Sequence, residues 1–173
     1  MTSSRWVKRS VRSETHYTFA YFNVATRFFL ERATADGDGR FYTCLATIVF
    51  SAFCIEAYLN EIGRERLACW DSLERTLSPK AKLLLITEHA GVPVDFSCRP
   101  FQSFNALFRL RDLVAHPKPG EFPRLEASCK PSNAKRLRED MREMITRIHE
   151  AAGFGSDPFT LMSFGGWKPS GGD

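Results

Sequence analysis

Residues 41–62, FYTCLATIVFSAFCIEAYLNEI, decide the fold of this chain. Over the first half of the stretch, apolar side chains occupy nearly every side of a helix, and charged side chains enter only near its end. A helix of this kind is buried among other elements in a globular protein, so the stretch predicts the central helix of an all-α domain. Gly63 follows directly and is predicted to cap this helix at its C-terminus.

Helical periodicity extends outward from this stretch in both directions. Ser78 and Pro79 form a helix start, while Gly91, Pro117 and Gly153 are stop signals. Neither a persistent strand pattern nor an internal repeat is present. The predicted fold class is an all-α helical bundle of about five helices with an irregular C-terminal tail. Beside the central helix, the predicted helices span residues 13–35, 78–90, 101–115 and 132–152, with a shorter one at 67–77.

The length of 173 residues suits one domain. Residues 1–12 are predicted to be a basic N-terminal extension, residues 13–152 the helical domain, and residues 153–173 a tail rich in Gly, Ser and Pro. The tail also carries Phe159, Leu161, Met162, Phe164 and Trp167, which predicts partial docking rather than a frayed terminus.

The composition excludes several classes of protein. With 43% hydrophobic and 25% charged residues the chain is neither disordered nor collagen-like, and a net charge of +4 permits an anionic partner such as RNA without demanding one. Five cysteines, an odd number without a CxxC pair, predict neither a disulfide scaffold nor a zinc site. The longest apolar run is shorter than a membrane helix needs. We therefore expect a cytoplasmic protein with no membrane partner, no metal and no cofactor.

The segment that carries candidate catalytic side chains is residues 104–118, FNALFRLRDLVAHPK. Pro117 disfavours helical geometry at the residue before it, so His116 is predicted to lie exposed at the end of a helix. Asp112 lies four residues earlier on the same face and can orient a neighbour. Arg111 is rotated from His116 by about 140° on an ideal helix. Cooperation between Arg111 and His116 therefore requires an unwound helix end or a second chain.

Arginine and histidine together suffice for metal-free cleavage of RNA. The 2′-hydroxyl is the nucleophile, a histidine transfers the proton, and a guanidinium stabilises the charge that develops on the phosphate. DNA lacks that hydroxyl and would be spared. An arginine and a histidine close in sequence are weak evidence alone, since Arg142 and His149 are only seven residues apart and are predicted to be surface residues.

Two other patterns have plainer interpretations. The basic side chains of residues 135–147 alternate with acidic ones and predict a solvated helix face rather than an RNA groove. An aromatic run near the N-terminus is predicted to be core or dimer interface, although aromatic side chains can also stack on bases. Its members are Tyr17, Phe19, Tyr21, Phe22, Phe28 and Phe29.

Residues 111–116, RDLVAH, resemble the Arg-polar-x-x-x-His signature of the HEPN superfamily, which lies at the end of a late helix in those α-helical bundles. Residues 50–62 are similar to the central helix of that superfamily, which often carries Glu and Asn on an apolar background. In the order of its helices, the resemblance covers roughly residues 13–152.

The resemblance implies a metal-independent endoribonuclease, a toxin or phage-defence effector, that works as a homodimer on RNA. Arg111 matches the signature arginine, Asp112 the polar residue and His116 the signature histidine, so these three are the expected catalytic residues. Arg109 is an additional basic group expected to bind substrate phosphate. Some toxin members carry, two residues after the histidine, a tyrosine that an antitoxin modifies. Lys118 stands there instead, which puts that control in doubt and predicts a second phosphate-binding group, although an antitoxin or another regulatory protein stays a possible partner.

Glu56 and Asn60 share one helix face at i and i+4 and are expected to support the site from behind the catalytic residues. A buried carboxylate needs a partner, and Arg109 or Arg111 is the expected partner of Glu56. Three alternatives stay open at this point: a helix-terminal ion cluster without chemistry, a HEPN-like module that binds nucleotides, RNA or protein without cleavage, and a pure assembly domain.

Overall fold

A computed structural model describes residues 18–35, 38–155 and 157–159, and these ranges contain helices and no strands. The predicted all-α bundle is confirmed: five long helices are joined by two short ones. The helices are α1 (Thr18–Thr34), α2 (Arg40–Arg66), α3 (Trp70–Leu73), α4 (Pro79–Ala90), α5 (Gln102–Ala115), α6 (Phe122–Ser128) and α7 (Pro131–Ala151).

Helix α2 is the centre of the bundle, as predicted, because it packs against α1, α3, α4, α5 and α7. Its predicted end is wrong. Gly63 lies inside the helix, which continues to Arg66. A Cβ at Gly63 would lie 2.4 Å from ring carbons of the fully buried Trp70, so glycine is needed here for close approach and not for a cap.

By length and composition alone, α2 is apolar enough to cross a membrane, with a mean hydropathy of 1.6 over its most apolar window. Half of that window is buried inside the bundle. The central helix of a helical bundle has the same properties, so the hydropathy of α2 is weak evidence for a membrane span. The absence of a membrane partner and the cytoplasmic location stay predictions.

The helix ends follow local chemistry. The Ser78 side chain accepts a hydrogen bond from the Ala81 N–H at 3.2 Å, and Gly91 closes α4 with φ +72°, both as predicted. Helix α6 lies between residues 116 and 131, where the sequence predicts no helix. Proline is tolerated in the first turn of a helix, which is where Pro123 lies.

Helix α7 buries the stripe that its periodicity predicts, from Leu137 to Ile148. Its arginines differ from the predicted solvated face. Arg138 donates to Thr26 Oγ1 and Arg142 to Asn23 Oδ1, each at 3.0 Å, so both guanidinium groups join α7 to α1. Burial lowers the pKa of Arg138. Both arginines therefore contribute to the packing of α7 on α1.

A buried carboxylate, Asp140, ties α7 to the start of α5. Its Oδ1 accepts from Arg99 Nε at 2.8 Å, its Oδ2 accepts from Ser103 Oγ, and Arg136 Nη1 lies 3.5 Å from Oδ2. A buried carboxylate is stable only with such partners. This network fixes the direction in which α5 leaves the bundle core.

His149 is buried, in contrast to the predicted surface position. Its Nδ1 lies 3.4 Å from the Tyr58 hydroxyl, and its ring stacks on Phe154 with centroids 4.7 Å apart. Phe159 is also buried, against Phe19, with the Arg142 guanidinium 4.0 Å from its centroid. The start of the predicted tail therefore docks on the domain. The basic extension and the tail beyond Phe159 lie outside the described residues.

The aromatic run divides between core and surface. Phe19 is buried and Tyr17 lies outside the described residues. Tyr21 is 55% exposed. Phe22, Phe28 and Phe29 join two aromatic residues of α2 in a partly exposed surface, called here the aromatic face. It consists of Phe22, Phe28, Phe29, Phe50 and Phe53, with neighbouring ring centroids such as Phe22–Phe50 and Phe29–Phe50 at 5.7 and 5.6 Å. An apolar surface of this kind is typical of an interface.

Thiol labelling checks this burial pattern. Cys69 and Cys98 are exposed, whereas Cys44, Cys54 and Cys129 are buried. Burial raises the pKa of Cys129 to about 11, so at pH 8 its thiol is protonated as well as shielded. We expect iodoacetamide to modify two cysteines in the native protein and five after denaturation, as counted by mass spectrometry. Rapid modification of Cys54 in the native protein would contradict the packing of α1 on α2.

Candidate active site at the end of helix α5

The C-terminal end of α5 lies at the surface, while the apolar side of this helix is buried in the core. Phe104, Leu107 and Leu110 are buried, and α5 packs against α2 and α7. The His116 N–H donates to the Asp112 carbonyl at 2.8 Å, but the backbone of His116 has already left helical geometry (φ −134°, ψ 65°). Pro117 prevents continuation, as predicted. His116 is exposed at this end.

Arg111 is held between two carboxylates. Its Nη1 donates to Glu56 Oε2 at 2.6 Å, while Nε and Nη2 donate to Asp112 Oδ1 at 3.0 and 2.8 Å. The guanidinium carbon lies 4.8 Å from the centroid of the Phe108 ring. Of the two predicted partners of Glu56, Arg111 is therefore confirmed as the one in contact. The Asp112 contact suits a role in orienting Arg111.

Lys82 of α4 completes the cluster and was missed by sequence reasoning. Only 5% of its side chain is exposed, and Nζ donates to Asn60 Oδ1 at 2.8 Å and lies 3.9 Å from Glu56 Oε1. Within the described structure, Lys82 joins Glu56 to Asn60, and those two side chains form no hydrogen bond with each other. The Glu56 carboxylate thus lies between a buried ammonium and the Arg111 guanidinium.

The arrangement leaves Arg111 able to bind an anion. A guanidinium has five N–H donors, and the three hydrogen bonds to Glu56 and Asp112 use three of them. The Arg111 side chain is 20% exposed. Its remaining N–H donors therefore belong to a guanidinium that is held in place and still contacts solvent. A held guanidinium loses little conformational entropy when it binds a phosphate oxygen.

The other predicted residues stand apart from this cluster within one chain. His116, Arg109 and Lys118 are exposed, and their side chains form no hydrogen bond or ion pair with the residues described here. Arg111 is directed toward α2, whereas His116 lies at the solvent-exposed helix end. One chain therefore does not join the arginine and the histidine through a direct contact.

The donor set at this helix end is basic rather than metal-binding. Among residues 18–35, 38–155 and 157–159, no group of three His, Cys, Asp or Glu side chains lies close enough to hold a metal ion. The ionisable side chains that reach solvent here are the Asp112 carboxylate and three basic groups, Arg111, His116 and Lys118. Their chemistry suits a phosphate ester.

Comparisons with known proteins assign no family. Protein-family models, curated proteins and solved structures all gave no match to this chain.

Replacing Lys82 by alanine tests the support behind Arg111. We expect the free energy of unfolding to fall by about 1–3 kcal/mol, because the variant removes a buried charged donor from the half-buried Asn60 carbonyl and from Glu56. Denaturant unfolding measures this. Lys80→Ala is the matched control, since Lys80 is exposed on the same helix and lies over the Phe96 ring. Equal stability of the two variants would contradict a buried, hydrogen-bonded Lys82.

Proposed function

We propose that this protein is a metal-independent endoribonuclease that acts as a homodimer. The observation that supports this most is the end of α5, where Glu56 and Asp112 hold a guanidinium with unused N–H donors, five residues from an exposed histidine. The HEPN-like signature at residues 111–116 adds support of a separate kind. The proposed cellular role, a toxin or phage-defence effector, rests on that resemblance.

The proposed reaction needs no group beyond side chains and the substrate. The 2′-oxygen of a nucleotide attacks its own 3′-phosphorus while His116 accepts the hydroxyl proton. The phosphorus–oxygen bond to the next nucleotide breaks, and an imidazolium donates a proton to the departing 5′-oxygen. Arg111 donates hydrogen bonds to the phosphate oxygens as charge accumulates on them. The products end in a 2′,3′-cyclic phosphate and a 5′-hydroxyl.

A dimer supplies what one chain does not bring together. Two copies carry two His116 side chains, one to accept the proton and one to donate it. The resemblance to HEPN domains implies that Arg111 of one copy faces His116 of the other. The aromatic face supports this assembly, because Phe53 lies on α2 one helical turn before Glu56. A second copy that covers the aromatic face would lie beside the active-site cluster.

Substrate binding and regulation follow from the same arrangement. Arg109 and Lys118 are the proposed contacts to substrate phosphates, and phosphate contacts set position rather than sequence preference. A regulatory partner, such as an antitoxin, would have to act without a tyrosine at position 118. Covering the end of α5 is the simplest way in which a protein partner would block this site.

The test is a cleavage assay on a panel of tRNA, mRNA and rRNA in the presence of EDTA, with a DNA of matched sequence alongside. We expect cleavage of at least one RNA class and none of the DNA. Retained RNA binding without cleavage by the dimer would favour the alternative, a HEPN-like module that binds RNA or nucleotides. Cleavage that EDTA abolishes would contradict the proposed chemistry.

A further inference from the structure

A groove of 280 Å³ lies between α5 and α6, next to the proposed active site. Its lining includes Arg109 and Leu113 from α5, and Glu121, Arg124 and Ser128 from the α6 segment. Arg109 precedes His116 by seven residues, two turns of helix, so both lie on the same side of α5 about 10 Å apart along its axis. The groove therefore leads away from the histidine at the helix end.

The side chains of the two arginines of this groove differ from those of three arginines that hold the bundle together. Arg99, Arg111 and Arg138 all donate to a carboxylate or a hydroxyl. Over the described part of the chain, the side chains of Arg109 and Arg124 form neither a hydrogen bond nor an ion pair, and both residues are exposed. Two like charges on one groove repel each other, and an anion bound between them relieves that repulsion.

Three aromatic side chains lie together where the start of α6 meets the start of α2. Phe122 is 61% exposed and Tyr42 is 71% exposed, the highest values among the large apolar side chains of the described residues. The half-buried Phe41 lies between them, with its ring centroid 5.8 Å from Phe122 and 5.2 Å from Tyr42. Exposed rings in such a row offer flat faces on which bases stack.

We propose that the α5–α6 groove and the aromatic trio of Phe41, Tyr42 and Phe122 bind a single strand of RNA beside the cleaved bond. Arg109 and Arg124 hold backbone phosphates, and the exposed rings of Phe122 and Tyr42 stack on unpaired bases. A duplex keeps its base faces stacked inside the helix, so only a single strand satisfies both groups. This inference rests on the proposed function, since it assigns the substrate class of that site.

Glu121 adds a negative charge to the lining of the groove. One of its carboxylate oxygens is buried and receives no hydrogen bond from any described residue. A negative charge beside two phosphate-binding arginines weakens the binding of an anion. Removing that charge should therefore strengthen RNA binding, whereas removing an arginine should weaken it.

The test measures binding separately from cleavage. All variants carry His116→Ala, and the probe is a fluorescein-labelled single-stranded RNA of about twelve nucleotides, read by anisotropy in EDTA over a range of salt concentrations. We expect Arg109→Gln with Arg124→Gln to weaken binding about tenfold or more and to lower the salt slope by about 1.4. Phe122→Leu keeps an apolar contact to Phe41 without a stacking ring, and should weaken binding about fivefold or more.

Two controls complete the design. Arg75→Gln removes an exposed arginine that lies outside the groove, and should bind RNA as the parent does. Glu121→Gln should bind more tightly than the parent. If the arginine pair and Phe122→Leu both behave as Arg75→Gln does, the proposal is overturned and the trio is left as a surface for a protein partner. The protein could bind RNA tightly through the groove and yet never cleave it. That result would support this inference and contradict the proposed function.

Discussion

His116→Ala is expected to lower the rate of RNA cleavage by a factor of about 10²–10⁴, the usual contribution of a positioned acid–base group. The imidazole is exposed at the end of α5 and forms no hydrogen bond with any described side chain, so alanine should leave the fold and its stability unchanged. Single-turnover cleavage in EDTA measures the rate, and thermal unfolding checks the fold.

His89→Gln is the matched control for this variant. His89 lies in the last turn of α4, away from residues 111–118, so its replacement should leave cleavage within about twofold of the parent protein. Equal loss in both variants would point to a general effect on structure. Equal activity of His116→Ala and the parent would remove His116 from the chemistry.

Gly63→Ala is expected to destabilise the fold by about 2–3 kcal/mol, which lowers the melting temperature by roughly 4–12 °C. The added Cβ would lie 2.4 Å from Cδ2 and Cε2 of Trp70, a ring that is fully buried. Neither a rigid indole nor the central helix can move without opening the core. Calorimetry or denaturant unfolding gives the size of the effect.

A double variant separates this clash from the intrinsic preferences of the helix. Alanine favours a helix more than glycine does, so without the clash the substitution would stabilise α2. In a Trp70→Leu background the ring is gone, and the cost of Gly63→Ala should largely disappear. A stable Gly63→Ala protein with an intact Trp70 would contradict the packing of α3 on α2.

Helical periodicity was sufficient to predict the bundle, because α5 and α7 each bury an apolar stripe and α2 carries the longest apolar run. The end of α2 was not predictable in the same way. Gly63 is a common stop signal in sequence terms, and only the distant packing of Trp70 shows that it serves close approach. Helix α6 was missed because Pro123 occurs both in loops and in first turns of helices.

The candidate site was predictable in part. The pairing of Glu56 with Arg111 followed from the cost of a buried carboxylate, and the structure contains it. Lys82 was missed, although a lysine that shares a helix face with the buried Ile86 is a recognisable sign of a paired buried charge. The burial of His149 depends on Tyr58, which is distant in sequence, and on Phe154, which lies beyond the end of α7. Neither contact follows from the periodicity of α7.

The most direct test of the central claim, 2′-hydroxyl attack promoted by the end of α5, is the chemistry of the cleaved ends. Wild-type protein is incubated in EDTA with an RNA that it cleaves, and with the same RNA carrying a 2′-O-methyl group at the nucleotide 5′ to the cut. Attack by the 2′-hydroxyl predicts 2′,3′-cyclic phosphate and 5′-hydroxyl ends on the first RNA and no cleavage of the second. Cleavage of the methylated RNA at the same bond, or 5′-phosphate ends, would contradict it.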